Sequence, residues 1–345
     1  MTFYIIYTPQ SVKYLLHFIP SLLDNSSYNY CLVSNGCSLK EREILKNKAS
    51  KHEHISYYCY PTNKMQIHGR VLTHLQAMCN EEYFCFMDSD IFATAPLPDL
   101  KKILKKENLT GLFAAMPLWV KGSEYMFKSK FKIMMGTFNR KENGTCIGNT
   151  YFALYKNDLL RQIIQHYGVC FDDCNQATLP IDIQQRFEKR GYHQTSFDTG
   201  KVINFLLNEH KYSLSNIEIP SLCHIGGTSF ETTYQEQRQE SLYWKKKFRD
   251  LIKKTVFNKA IDLRQEYYFK KRFKSLTQEE FQINYNQRVL HRNITRRHFL
   301  KLYLALVDNK EIPKSPIFKD EEITKNVAIA HQLYIENFKT YYRAS

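Results

Sequence analysis

Short apolar runs alternate with segments of helical spacing over the first ninety residues of the chain. The runs in FYIIYT, YNYCLVSNG, HISYYCY and EYFCFM are typical of parallel strands that are buried on both faces. Between them, segments such as SVKYLLHFIPSLLDN and IHGRVLTHLQAMCN repeat apolar residues at the period of an amphipathic helix. This order predicts a βαβ series with right-handed crossovers and with ligand chemistry at the carboxyl ends of the strands.

The second part of the chain has a mixed pattern and then a helical one. Strands are predicted in GLFAAMPLW, IGNTYFALYK and SLCHIGGTSF, and helices in NDLLRQIIQHYG and DTGKVINFLLNEH. Beyond residue 235 the sequence has no cysteine and is rich in Lys, Arg, Gln and Tyr, with a turn at EIPKSPIF before the last helix. We therefore predict an α/β domain over residues 1–235, with a mixed sheet flanked by helices, and a basic, mainly helical region over residues 236–345.

The 345-residue chain carries a formal net charge of +15, which favours an anionic partner. Residues 241–275 hold twelve Lys or Arg against three Asp or Glu, and apolar residues recur among them at helical spacing. This segment is predicted either to lie on an anionic membrane surface or to pack its apolar face on the α/β domain. Nucleic acid is not expected as a partner, because no groove-reading or base-stacking motif accompanies the charge.

The cysteines and the first residues of the chain both indicate the cellular compartment of the protein. Nine cysteines, an odd number, lie mostly within apolar stretches, as buried free thiols do in a reducing compartment. The opening MTFYIIYTPQ has the pattern of a strand rather than of a secretory leader, and no apolar stretch reaches the length of a membrane span. We expect a cytoplasmic protein, either free or held peripherally on the inner face of a membrane by residues 241–275.

Two carboxylates lie one residue apart in YFCFMDSDIFA, where Asp88 and Asp90 follow the fourth apolar run. If the strand continues through them, alternation points both side chains to the same face. Carboxylates this close repel unless a cation lies beside them, and oxygen ligands suit Mg²⁺ or Mn²⁺. The alternative is a turn or helix cap without a metal.

The segment FCFMDSDIFA resembles the Asp-x-Asp motif of GT-A fold glycosyltransferases, and the resemblance extends over about residues 3–230. In that family a late strand commonly ends in a histidine that joins the metal, which LCHIGGTSF matches at His224. The resemblance implies that Asp90 and His224 ligate Mn²⁺ or Mg²⁺ and that Asp88 contacts the metal or the ribose. Ser89, Gly226 and Gly227 are then expected beside the nucleotide-sugar donor, since small residues let backbone approach a phosphate.

The catalytic base is predicted among three aspartates. SFDTGKVINFLLNEH resembles the family segment in which an aspartate at a helix start faces the sugar or the acceptor, which makes Asp198 a candidate general base. Asp198 is equally a candidate N-cap for that helix. Asp172 and Asp173, which are adjacent in VCFDDCNQ, are the competing candidates.

Further donor contacts are expected at strand ends and on one helix. GTCIGNTYFALYK resembles the family stretch that lines the donor sugar and the acceptor, so Asn149 is a candidate for a hydrogen bond to a sugar hydroxyl, or else a turn residue. Arg70 is a candidate diphosphate contact, or else a solvated helix charge. The base and ribose are expected at the ends of the first two strands, at Tyr7, Thr8, Ser34 and Asn35.

These features predict a metal-dependent glycosyltransferase that moves a sugar from a nucleoside diphosphate, with UDP-sugars favoured, to a glycan or lipid-linked glycan, in lipopolysaccharide or capsule synthesis. The chain departs from well-marked subfamilies, with no acidic residue directly after the first strand and no Lys-Pro-Trp after His224. The stereochemistry therefore stays open. The alternatives are a sugar nucleotidyltransferase, although YTPQSVKY is not a glycine-rich phosphate loop, and a non-catalytic nucleotide- or membrane-binding protein.

Overall fold

The computed structural model describes residues 1–120, 133–134, 138–140, 145–191, 196–229 and 290–342. The basic segment 241–275, for which a membrane role is predicted, lies outside the described residues.

The described strands lie within the first 224 residues, and most helices lie between them in the sequence. They are β1 Thr2–Tyr7, β2 Asn29–Ser34, β3 Ile55–Cys59, β4 Tyr83–Met87, β5 Ile91–Ala93, β6 Gly111–Phe113, β7 Ile133–Met134, β8 Phe138–Arg140, β9 Thr145–Ile147, β10 Phe152–Lys156, β11 Cys174–Asn175, β12 Ser196–Phe197, β13 Leu214–Asn216 and β14 Leu222–His224.

The helices fall between the strands and at the C-terminal end of the described chain. They are α1 Val12–Leu15, α2 Ile19–Asp24, α3 Leu39–Ala49, α4 His68–Met78, α5 Leu100–Lys106, α6 Asn157–Tyr167, α7 Ile181–Lys189, α8 Lys201–Glu209, α9 Arg292–Val307 and α10 Glu321–Tyr341, with 3₁₀ turns at Leu16–Phe18 and Gln176–Thr178.

Seven strands form the main sheet in the order β13-β6-β10-β4-β1-β2-β3. Strand β10 is antiparallel to both of its neighbours, β4 and β6, and the other pairings are parallel. The predicted α/β fold with a mixed sheet flanked by helices is therefore confirmed. The carboxyl ends of β1, β2, β4 and β6 consequently meet at one edge of the sheet, which is where ligands bind in such folds.

Two apolar cores cover the two faces of the sheet. One contains Phe3 and Ile5 of β1 and extends to α2, α9 and α10, and the other contains Ile6 of β1 and extends to α4, α6 and α8. Adjacent residues of β1 thus enter opposite cores, as the alternation of a strand requires. Because α9 and α10 share a core with β1, these two helices pack on the α/β sheet.

Two boundaries differ from the sequence predictions. The predicted helix over residues 11–25 breaks into α1, a 3₁₀ turn and α2, because Pro20 lacks an N–H and its ring clashes with a continuous α-helix. The run EYFCFMDSDIFA is not one strand, since β4 ends at Met87 and β5 begins at Ile91. Asp88 and Asp90 therefore lie in the turn between two strands, and strand alternation does not describe how their side chains are arranged.

In the described part of the C-terminal segment, an irregular stretch precedes the last helix. Residues 311–318 contain no helix, and α10 begins at Glu321 behind Asp320, whose carboxylate caps it. Among the described helices, none is both long enough and apolar enough to cross a membrane.

Candidate active site

The turn between β4 and β5 carries the two carboxylates to the carboxyl edge of the sheet. The N–H of Asp88 donates to the carbonyl of Tyr151, 2.6 Å away, which extends the pairing of β4 with β10 by one bond. The side chain of Asp90 is 3% exposed, while that of Asp88 is 29% exposed. Asp90 therefore faces the protein interior, and Asp88 faces the adjoining solvent-accessible space.

His224 is brought to the carboxylates by a two-stranded sheet. Strand β14 pairs antiparallel with β5, so that His224 lies opposite Ile91, and the N–H of Ile225 donates to the carbonyl of Asp90. The Nε2 atom of His224 lies 3.2 Å from Oδ1 of Asp90 and 3.5 Å from Oδ2 of Asp88. Residues 134 positions apart in sequence thus form one cluster, as the resemblance implied for these three side chains.

A second hydrogen bond fixes the ring of His224. Its Nδ1 lies 2.7 Å from the carbonyl oxygen of Ala115, which can only accept, so Nδ1 carries a proton. In a neutral imidazole the lone pair then lies on Nε2, the atom that faces Asp88 and Asp90. This is the arrangement in which a backbone carbonyl orients a metal-binding histidine.

The charges of this cluster stabilise each other. Burial by itself would lower the pKa of His224, but the charge of Asp90 and hydrogen bonds to Asp88 and Asp90 raise that pKa to about 10. Burial would likewise raise the pKa of Asp90, yet the charge of His224 and hydrogen bonds from His224 and Thr228 lower it. Without a cation, the cluster is therefore an imidazolium held between carboxylates.

The three residues also fit a divalent cation. One ligand atom from each of Asp88, Asp90 and His224 lies within 4.8 Å of the others. The buried Nε2 of His224 faces both carboxylates, so the three ligand atoms point to one shared space. Two carboxylates and one imidazole suit Mn²⁺ or Mg²⁺, and the set leaves coordination positions for ligand oxygens.

The glycine turn after β14 positions the Asp90 carboxylate through its second oxygen, Oδ2. The N–H of Thr228 donates to Oδ2 of Asp90 over 2.8 Å, and both Gly226 and Gly227 have positive φ angles, of 80° and 86°. The indole N–H of Trp119 donates to the carbonyl of Gly226, where a Cβ would approach that nitrogen to 2.6 Å. Gly226 is therefore required by backbone conformation and by close packing together.

A cavity of about 420 Å³ adjoins the carboxylates. Thr8, Asn35, Asp88 and Ser89, four residues expected at the donor site, line it. The remaining lining residues come mainly from the loop before α4 and from strand ends, namely Ile6, Met65, Gln66, Ile67, His68, Met87 and Ser229. The cavity thus connects the ends of β1, β2 and β4 with the Asp88 carboxylate.

The loop before α4 forms one wall of this cavity. Gly36 has a φ angle of 72°, and a Cβ there would clash with the backbone nitrogen of Met65. The side chain of Asn35 donates to the carbonyl of Gln66 over 2.9 Å and accepts from the N–H of Gln66 over 2.8 Å. Asn35 therefore uses its amide to hold this wall in place.

Three other predicted donor contacts lie elsewhere on the strands and on α4. Tyr7 is fully buried in the apolar core, and the hydroxyl of Ser34 hydrogen-bonds to that of Tyr57 over 3.0 Å. Arg70 is more than half exposed, with its Nε 3.9 Å from Oδ2 of Asp172. None of these three lines the cavity described above.

The aspartates predicted as bases differ in their surroundings. The N-cap of α8 is Gly200, so Asp198 does not cap the helix, and its Oδ1 accepts from the N–H of Thr199. Burial lowers the pKa of His68, and the charges of Asp88 and Asp198 partly offset that effect, which places both carboxylates near this cavity residue. Asp173 is exposed.

Two residues of the site region were not predicted from the sequence. His68 begins α4 and lines the cavity, and no sequence motif singles it out. Lys201 is 1% exposed, and its ammonium donates to Oδ1 of Asn149 over 2.7 Å. Lys201 directly precedes the apolar run VINFLL, a pattern that fits a solvated lysine at a helix start equally well.

No protein-family model matches the chain, and no curated protein matches it either. Among solved structures it is similar to S. aureus TarS, with 15% identity, a TM-score of 0.35 and coverage of 58% of this chain and 37% of that one. It is similar to the galactosyltransferase LgtC, solved with donor and acceptor sugar analogues, with 11% identity, a TM-score of 0.39 and coverage of 66% and 87%.

A third similar structure is a putative glucose-1-phosphate thymidylyltransferase from Bacillus anthracis, with 10% identity, a TM-score of 0.38 and coverage of 66% of this chain and 90% of that one. The chain spans 37% of TarS, which is well under two thirds of that protein. All three TM-scores are below 0.5, so we base the proposed function on the residues of this chain alone.

Proposed function

We propose that the chain is a glycosyltransferase that moves a sugar from a nucleoside diphosphate to a hydroxyl group. One observation carries the proposal: Asp88, Asp90 and His224 converge at the carboxyl edge of the sheet beside a cavity of about 420 Å³. A nucleoside diphosphate is an anion of a size suited to such a cavity. Mn²⁺ or Mg²⁺ held by these residues would neutralise charge on the departing diphosphate.

The side chains around the cavity have distinct roles in this proposal. Thr8 and the Asn35-braced loop contact the base and ribose, and the turn at Gly226 and Gly227 lets backbone approach the diphosphate. Asp198 accepts the proton of the acceptor hydroxyl while the acceptor oxygen bonds to the anomeric carbon and the nucleoside diphosphate leaves. Asp173 stays the alternative base.

The finer assignments extend this proposal. UDP-sugars are the favoured donors because metal-dependent members of the resembled family commonly use them. The proposed acceptor is a glycan or a lipid-linked glycan of lipopolysaccharide or capsule synthesis. Contact of residues 241–275 with the inner face of a membrane remains a prediction.

The loop after β1 argues against the nucleotidyltransferase alternative. Only four residues, 8–11, separate β1 from α1, and none is a glycine. A nucleotidyltransferase is expected to have a glycine-rich, basic phosphate loop at this position.

The test is to incubate the purified chain with Mn²⁺ and a panel of nucleotide sugars and to measure released nucleoside diphosphate, with Asp90→Asn as the control. Release by the wild type that is absent in Asp90→Asn supports the proposal. A second arm supplies nucleoside triphosphates and sugar 1-phosphates. Pyrophosphate release in that arm, with no nucleoside diphosphate in the first, would instead establish a nucleotidyltransferase.

A further inference from the structure

Lys201 is a buried lysine at the first position of α8, with a relative exposure of 1%. Burial of an ammonium group is costly unless acceptors replace its water. Two acceptors lie in the loop that precedes β10: the carbonyl of Gly148 at 2.5 Å and Oδ1 of Asn149 at 2.7 Å. The charge of Lys201 is therefore directed at this loop.

The start of α8 is held against the same loop. Gly200 has a φ angle of 73°, and a Cβ there would lie 3.0 Å from Cγ2 of Thr150. The N–H of Lys201 donates to the carbonyl of Asp198 over 3.1 Å. Lys201 thus links the candidate base segment with the loop that carries Asn149.

The chemistry of lysine determines how the Asn149 amide is oriented. An ammonium group donates hydrogen bonds and cannot accept them, so the amide oxygen must face Nζ of Lys201 and the NH₂ group must face away. Asn149 is 3% exposed, and its Nδ2 has no acceptor among the described residues. A buried donor without an acceptor is unfavourable, and a ligand oxygen would relieve it.

The position of Asn149 indicates which ligand supplies that oxygen. Two residues further on, the carbonyl of Tyr151 accepts from the N–H of Asp88, and the ring of Tyr151 lies 5.0 Å from that of His224. Asn149 is therefore at the same edge of the sheet as the candidate metal and diphosphate residues. In the proposed function, the sugar attached to the diphosphate would be the hydroxyl-rich part of the donor that adjoins this edge.

The loop itself is rigidly supported. Nδ2 of Asn204 donates to the carbonyl of Gly148 over 3.1 Å, and the hydroxyl of Tyr155 donates to Oδ1 of Asn204 over 2.8 Å. A Cβ at Gly148 would overlap the ring of Phe113, so the backbone is packed on the sheet. These contacts leave the amide of Asn149 little freedom beyond rotation about its own side chain.

We propose that Lys201 is a positioning residue that fixes the Asn149 amide with its NH₂ group toward a hydroxyl of the donor sugar. This inference rests on the proposed function. A site that donates a hydrogen bond to a substrate hydroxyl discriminates strongly against analogues without it, because the donor is then left unpaired. Lys201 would thus contribute to sugar recognition without touching the sugar.

The test measures how much the sugar adds to nucleotide affinity. Isothermal titration calorimetry in the presence of Mn²⁺ compares the Kd of UDP with those of UDP-glucose, UDP-galactose and UDP-N-acetylglucosamine, and the Kd of GDP with that of GDP-mannose. The proteins are the wild type, Asn149→Asp, Asn149→Ala, Lys201→Met and the double variant Asn149→Ala/Lys201→Met. Aspartate at 149 still accepts from Lys201 but cannot donate. Lys48→Met, which also removes a buried lysine, is the matched control for loss of stability.

We expect the ratio of nucleoside diphosphate Kd to nucleotide-sugar Kd to fall about tenfold in Asn149→Asp, Asn149→Ala and Lys201→Met, and not in Lys48→Met. The double variant should be no worse than Asn149→Ala, because Lys201 acts through Asn149. A purely structural Lys201 would lower the melting temperature and leave the ratio unchanged, which would overturn the inference. If Lys201→Met does not fold, an unchanged ratio in Asn149→Asp overturns it equally.

This experiment distinguishes a failure of the proposed function from a failure of the role inferred for Lys201. A wild type that binds nucleoside diphosphates but shows no gain from the sugar contradicts the role of Lys201 and leaves the proposed function standing. A wild type that binds neither class of nucleotide contradicts the proposed function and the inference together.

Discussion

The Nε2 atom of His224 lies 3.2 Å from Oδ1 of Asp90, and both side chains are almost completely buried. Removal of one partner of a buried pair leaves the other charge uncompensated, which typically destabilises a protein by about 3–5 kcal/mol. We therefore expect Asp90→Ala to lower the free energy of unfolding by that amount in the presence of a metal chelator. Denaturant titration measures the change.

Asp173→Ala is the control for this first prediction, because Asp173 is exposed and surface substitutions usually change stability by no more than about 0.5 kcal/mol. Equal stability of Asp90→Ala and the wild type under these conditions would show that the His224–Asp90 pair does not support the fold.

Part of this site was accessible from the sequence. The apolar runs predicted the strands, and the family resemblance linked Asp88 and Asp90 with His224 across 134 positions. The hydrogen bonds that orient them were not predictable, since the Ala115 carbonyl and the Thr228 N–H reach the site only through the packing of β14 on β5.

Other parts of the site depend on tertiary contacts that leave no local pattern. A lysine at a helix start is usually a surface charge. Only the tertiary structure brings the carbonyl of Gly148 to the ammonium group of Lys201. Ser34 and Asn35 were predicted at the donor site from their strand ends, but their hydrogen bonds to Tyr57 and Gln66 were not predictable from the sequence. These bonds join strand ends to residues more than twenty positions away, which only the tertiary fold brings together.

The two glycines after His224 should respond differently to alanine. Both have positive φ angles, so each substitution costs roughly 1 kcal/mol in backbone conformation. At Gly226 the new Cβ would also lie 2.6 Å from Nε1 of Trp119 and 2.7 Å from Cβ of Pro117, whereas at Gly227 it would lie 3.9 Å from Cδ of Arg296.

We expect Gly226→Ala to lose clearly more stability than Gly227→Ala, because the turn that orients Asp90 must shift. Thermal unfolding of both variants gives the comparison. Similar losses for the two would mean that the packing of Trp119 on this turn is not a constraint.

Asp198 and Asp173 compete for the role of base, and their amide variants separate them. Asp198→Asn should retain nucleotide binding and lower kcat for transfer by about 10²–10⁴-fold, the usual contribution of a general base. The measurement pairs transfer kinetics with nucleotide Kd. A large loss in Asp173→Asn with normal turnover in Asp198→Asn would transfer the role to Asp173.

His17 connects the N-terminal region with the C-terminal helices and should make the fold acid-sensitive. Its ring is buried among Phe18, Tyr303, Tyr334 and Phe338, and neither ring nitrogen has a partner among the described residues. Burial lowers the pKa of His17 from 6.5 to about 3. The neutral form is thus the one that the folded state accepts.

Because folding lowers the pKa of His17, the stability of the folded state that depends on a neutral His17 is fully present above pH 6.5 and is lost as the pH falls from 6.5 toward 3. The loss should reach roughly 2 kcal/mol at pH 5, at 1.36 kcal/mol for each pH unit. His17→Phe should remove this loss. Denaturant titrations should therefore show a smaller difference between the free energies of unfolding at pH 7 and pH 5 for the variant than for the wild type. An equal difference in both proteins would show that His17 is accessible to protons in the folded state.

The most direct test of the account is Mn²⁺ binding followed by electron paramagnetic resonance, with UDP, CDP, GDP or dTDP present, for the wild type and Asp90→Asn. The variant keeps the size of the side chain and removes its charge. We expect one nucleoside diphosphate to promote Mn²⁺ binding by the wild type, and we expect Asp90→Asn to weaken this binding by about 10–100-fold. Equal Mn²⁺ binding by both proteins, or none by the wild type with any of the nucleotides, would contradict it.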